Sequence, residues 1–226
     1  MASAALGALL VAMAEVRDLV VPAGSFATTA KALAFARVAG RARTVLLSSH
    51  FERYIFAVNE EAVAHLNQNH VQATQLHVTT RLLHSREPLE RIMEISWEAR
   101  QAALAEFVSG DGWLWNQALG GALQHDRFLK WMSAPKPQNL VRYFRYWGIN
   151  DIFTAVTRSP QTRGRLWLGV QELVDKRNNI AHGDYAAQAT SADVSRYLGS
   201  VHTFCVRADR RLGREIGRLV NGSAAW

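Results

Sequence analysis

Strand patterning is missing along this chain, and that most limits what it can fold into. No alternating Val/Ile/Thr run is bounded by turn pairs, and apolar residues recur at helical spacing instead. Five prolines in 226 residues leave long stretches free to be helical. The expectation is an all-α chain with enough residues to bury a real core.

The spacing predicts a helix over about 3–20, a turn at Pro22–Ser25, and a second helix to about 66 with Gly40 as a candidate break. A helix over about 71–84 follows, then one with Pro88 in its first turn that runs to about Val108. Ser109 to Gly112 reads as a turn, and a Trp-rich segment from Trp113 to Met132 ends at Ala134-Pro135-Lys136-Pro137. Gln138 to Trp147 reads as a short helix capped by Gly148, and Ser159-Pro160 as a break. Arg163 to Ala181 is helical and stops at Gly183, and Ser191 is placed to N-cap a last helix to about Val220. No repeat or linker divides the chain. We read residues 1–226 as one domain, with 1–30 an N-terminal helix facing the core or a partner and 31–220 the core.

Lys plus Arg number 26 against 19 Asp plus Glu, a net charge of +7, which points toward polyanions. A hydrophobic content of 49% argues against disorder. A single cysteine, Cys205, excludes an internal disulfide framework and a Cys-rich zinc site, and makes the cytoplasm the expected home. No Lys or Arg precedes Arg17, so the apolar run Ala4–Ala14 lacks the charged start of a signal peptide, and it is too short to span a bilayer.

One arginine is out of place. At about 100° per residue, Leu166, Val170, Leu173 and Ala181 fall within about 40° of Arg177, at the centre of the stripe that should face the core. A buried guanidinium needs a carboxylate, a phosphate or a wet cleft. His182 lies about 140° from Arg177 in an ideal helix, so the two share a face only if the last turn distorts or if each serves a site built from two chains. On composition and spacing alone, a C-terminal cap for His182 and a buried ion pair for Arg177 are favoured over a functional role.

The stretch Lys176-Arg177-Asn178-Asn179-Ile180-Ala181-His182-Gly183-Asp184 resembles the signature of the HEPN superfamily, an arginine and a histidine with four to six residues between them (four here), often with a polar residue straight after the arginine. Phe51-Glu52-Arg53-Tyr54 resembles the early helix of the RiboL-PSP type of HEPN protein. Pro135 to Leu140, through Trp147-Gly148-Ile149, resembles the middle segment of that type, a helix ending in Gly-Ile. The resemblance spans roughly 35–215 and implies a HEPN-type helical bundle with additional helices, dimerising through the Arg-His face. It further implies a composite, metal-independent RNA-cleaving site, with no cofactor, in a toxin or anti-phage defence effector. An antitoxin or regulatory protein is then an expected partner. A non-catalytic HEPN module for RNA or a nucleotide, and a helical subunit of a larger assembly, are the alternatives.

In that reading His182 moves a proton near neutral pH and Arg177 pairs with the charge developing on phosphate. Asn178 holds the ring or a phosphate oxygen, and Glu52, on the stretch 41–66 that is apolar nearly all round and so expected to be buried, holds the guanidinium in place. Arg207, Arg211, Arg214 and Arg218 form one stripe on the last helix, a candidate RNA track or an ordinary solvated face offset by Asp209 and Glu215. The apolar face opposite is Val201, Cys205, Ala208, Leu212, Ile216 and Leu219. His70, His77 and His84 recur every seven residues, about 10.5 Å apart on a helix, too far to share a metal ion; they read as one partly solvated face. Trp113 and Trp115 are core material or base-stacking residues.

Overall fold

The computed structural model describes residues 1–19, 30–116, 120–222 and 224–226. Among these residues there are eight α-helices, three short 3-10 turns and no strand. The helices are α1 (Ala4–Asp18), α2 (Ala30–Gln68), α3 (Val78–Glu94), α4 (Trp97–Asp111), α5 (Pro137–Tyr146), α6 (Ile152–Val156), α7 (Pro160–Ala181) and α8 (Ser191–Leu219). None of them is long and apolar enough to cross a membrane.

Helices α2, α7 and α8 pack on one another at the centre, and α1 lies against α2 and α8. The predicted apolar face of α8 is buried from Val201 to Leu219. Phe204 on that face meets Phe51 of α2 at 6.0 Å, Phe144 of α5 at 6.3 Å and Phe153 of α6 at 5.1 Å between ring centroids. One α8 residue thus ties three elements into a single core.

The first helix belongs to that core. Ala5, Leu6, Leu9, Met13 and Val16 are buried. Ser3 caps α1 by accepting from the Leu6 amide at 2.9 Å, and its hydroxyl donates to the Asp209 carboxylate. Asp209 therefore points into the bundle and offsets none of the arginines on α8. Glu61 of α2 accepts from the Ala4 and Ala5 amides, at 3.0 and 2.6 Å.

Several expected boundaries moved, each for a tertiary reason. Helix α2 runs unbroken through Gly40, whose missing side chain admits the Ala189 carbonyl oxygen; a Cβ there would collide with it. Its first third is exposed, and its buried residues concentrate in 41–66, the stretch expected from the sequence to be buried. Pro88 lies inside α3, not in a first turn. Proline cannot bond the His84 carbonyl as a helical amide would, and Arg127 Nη1 donates to that carbonyl instead at 3.3 Å. The helix expected over 71–84 begins only at Val78, and the chain breaks at Ile95-Ser96. Ser109 to Asp111 remain in α4, followed by a 3-10 turn at Gly112–Leu114.

The three histidines share no face. His70 lies beyond α2 with φ 49°, His77 precedes α3, and His84 is fully buried within it. Thr190 caps α8 in a reciprocal capping box with Asp193, which makes Ser191 the first helical residue. Gly148 ends α5 with φ 81°, as expected. The turn at Pro22–Ser25 lies outside the described residues.

Candidate active site at the end of helix α7

Helix α7 is bounded by its own sequence. Ser159 caps it by accepting from the Thr162 amide at 3.2 Å, and Pro160 occupies the first turn. At the far end Gly183 takes φ 83°. Its amide donates to the Ile180 carbonyl at 3.1 Å, and the Asp184 amide to the Asn179 carbonyl at 3.0 Å. This is the Schellman closure, and it makes His182 the C-cap residue. The last turn is thus tightened by the glycine, as the sequence suggested.

Leu166, Val170 and Leu173 are buried, but α7 overhangs the core from about Asp175 onward. Arg177 therefore sits at the rim of the apolar stripe, with its side chain 34% exposed, and not at a dry centre. Its Nη1 donates to Asn178 Oδ1 at 3.1 Å, and Nη2 stands 4.0 Å from Glu52 Oε2. The guanidinium is steered by an amide on one side and a carboxylate on the other, with part of its donor edge open to water.

The His182 side chain is exposed, and no hydrogen bond or ion pair engages its ring among the described residues. None joins it to Arg177. Its backbone is fixed all the same, donating to the Asn178 carbonyl at 2.9 Å. A rigid backbone under an uncommitted imidazole suits a group that moves protons.

The sequence reading missed Arg41. It lies on α2, eleven residues before Glu52 and so within about 20° of the same helical line. Arg41 Nη1 donates to the Asp184 carbonyl at 3.0 Å, and its guanidinium stands 5.7 Å from the centroid of the exposed Tyr185 ring. Helix α2 therefore holds both sides of the motif, through Glu52 at Arg177 and Arg41 at the loop after His182. The eleven-residue spacing was the signal available.

The arginines of α8 separate. Arg211 and Arg218 both pair with the largely buried Glu215. Arg207 Nη1 donates to the Val156 carbonyl at 3.2 Å, and Arg214 Nε to the Arg210 carbonyl at 3.2 Å. Trp113 is buried, whereas Trp115 donates from its indole to Ser85 Oγ at 3.0 Å and carries Arg81 5.3 Å from its ring centroid. Among the described residues, no group of three or more His, Cys, Asp or Glu is arranged to hold a metal ion.

A family model described as RiboL-PSP-HEPN aligns with residues 25–213. The chain belongs to the RiboL-PSP-HEPN family. No curated protein and no solved structure matches it. Membership makes it a HEPN-type module, a nucleotide-binding or RNase class. In this HEPN domain Phe51 and Tyr54 enter the core, Glu52 turns to Arg177, and Arg53 turns outward to Glu60 at 3.4 Å.

Proposed function

We propose that this HEPN domain is a metal-independent RNA endonuclease whose site is completed by a second copy of the chain. The observation that carries the reading is the pair itself. Arg177 is steered and partly open, His182 is exposed with a free ring, and the two are not joined within one chain. Two copies meeting across this end of α7 supply both groups to one phosphate. The exposed apolar residues Leu33, Phe35 and Val38 of α2 support such a contact, and Val38 falls about 40° from Glu52 and about 60° from Arg41 around the helix.

The reaction class is transesterification. The 2′-oxygen of the substrate attacks the adjacent phosphorus, the bond to the 5′-oxygen breaks, and the products carry a 2′,3′-cyclic phosphate and a 5′-hydroxyl. His182 transfers a proton at one of these oxygens. Arg177 offers two parallel N–H donors to the charge that develops on the non-bridging oxygens. Asn178 and Glu52 fix the guanidinium, and Arg41 fixes the loop after His182. Such an activity suits a toxin or an anti-phage defence effector restrained by an antitoxin or regulatory protein.

The test is incubation of purified wild type, Arg177→Ala and His182→Ala with labelled RNA in EDTA. The reading expects cleavage by wild type alone, with cyclic phosphate ends. RNA that is bound but left intact makes the domain a non-catalytic RNA-binding module.

A further inference from the structure

The charge excess of this chain is unevenly placed. Between residues 138 and 165 there are five arginines and one acid, Asp151. The structure gathers three of these arginines, and one from α8, around the short helix α6. Arg145 Nε donates to the Asn150 carbonyl at 3.4 Å, one residue before the Asp151 cap of α6. Arg163 Nη1 donates to Thr154 Oγ1 at 3.1 Å, and Arg207 Nη1 to the Val156 carbonyl at 3.2 Å. Arg158 follows α6 by two residues and is exposed.

Asp151 offers these arginines little. Its Oδ1 accepts from the Phe153 and Thr154 amides, at 2.9 and 3.3 Å, and its Oδ2 from the Thr154 hydroxyl at 2.6 Å. Among the described residues none of the four arginines has an ion pair, in contrast to Arg211 and Arg218 on α8. Three of them are pinned at one edge by a neutral oxygen, which leaves the full charge and the remaining N–H donors turned outward. Pinning lowers the entropy lost when a long side chain engages a ligand. The planar fork of arginine matches phosphate oxygens.

We propose that Arg145, Arg158, Arg163 and Arg207 form an RNA-backbone anchor remote from the Arg177–His182 motif. Their cargo is a run of phosphates, and they read no base. Arg163 and Arg177 lie fourteen residues apart on one helix, about 21 Å, or roughly six stacked nucleotides at 3.4 Å each. The anchor therefore engages RNA several nucleotides away from the scissile bond and favours long substrates over short ones. This rests on the RNA reading above for the class of ligand, but not on cleavage.

The experiment measures binding in the His182→Ala background. A fluorescein-labelled, unstructured RNA of about 20 nucleotides is titrated by anisotropy across a salt series. Arg158→Gln/Arg163→Gln is expected to weaken binding and to flatten the slope of log K against log salt by about 1.4, at about 0.7 per lost phosphate contact on a single strand. Its melting temperature should match that of its parent. Arg210→Gln/Arg214→Gln, which also removes two charges, should lose clearly less. Equal losses in the two pairs would overturn the anchor, and so would an unchanged slope or a parent without RNA affinity at low salt. RNA held through these four arginines but never cut by the wild type would sink the nuclease reading and leave the anchor standing. Cleavage with an unchanged slope would do the reverse.

Discussion

Arg41 and Asp184 meet at 3.0 Å across 143 residues of sequence, guanidinium to carbonyl, and the contact fastens the loop after the Arg-His motif to the longest helix of the bundle. Glu52 faces Arg177 three turns along the same helix. The motif is therefore aligned from α2, although all of its own residues belong to the end of α7.

Arg41→Ala is expected to loosen that loop at little cost to the fold. A partly exposed bond of this kind contributes about 1 kcal/mol, so the melting temperature should shift by a few degrees at most. RNA cleavage should fall more than stability does, and Arg41→Lys should recover part of it. Unaltered cleavage by Arg41→Ala would remove Arg41 from the site.

His182→Ala should leave stability within about 0.5 kcal/mol of wild type, because the ring is exposed and unpartnered. Cleavage should drop by roughly 10²- to 10⁴-fold, the range for loss of a general acid or base. Denaturant unfolding beside a gel assay in EDTA separates the two effects. A variant that is both unfolded and inactive would contradict the exposed cap.

The buried pair His84 and Asp111 predicts an acid-sensitive fold. His84 Nε2 accepts from the Gln124 amide at 2.8 Å, Nδ1 faces Asp111 Oδ1 at 3.2 Å, and Arg127 closes on Asp111 Oδ2 at 2.6 Å. Burial, and then the Arg127 charge, push His84 down from 6.5 to about 4. The unfolded chain thus binds the proton more readily than the folded one. The contribution is complete above the unfolded value of 6.5 and is lost as pH falls through about 4. At 1.36 kcal/mol per unit it amounts to about 3 kcal/mol. His84→Gln should flatten the stability profile in that window, as measured by urea unfolding between pH 7 and pH 4.

Gly40→Ala should cost about 1–3 kcal/mol, the usual penalty for forcing atoms into a packed contact, because its Cβ meets the Ala189 carbonyl. The same substitution at Gly7, which has open space around it, should be neutral or mildly stabilising. Thermal melts of the two variants make the comparison.

Much of this was readable from the residues, and the exceptions share a cause. The helical class, the end of α7 at Gly183 and the apolar face of α8 follow from local periodicity and capping, which the structure keeps. Pro88 misled because the carbonyl it abandons is satisfied by Arg127, thirty-nine residues away. Gly40 looked like a break and is instead a point of close approach. At the site, Arg177, Asn178 and His182 lie within one short window, whereas Arg41 enters only through the packing of α2 on α7. Helix α6 went unread, since five residues are too few to show a period.

Helix α4 buries only Asp111, its last residue, and packs chiefly on α3. It is a limb joined to the body at one point. Its hydrogen-bonded amides should exchange through a local opening, at a free energy well below that of global unfolding. The bundle that carries the motif can thus stay closed while this limb frays, and the domain has two levels of stability within a single fold.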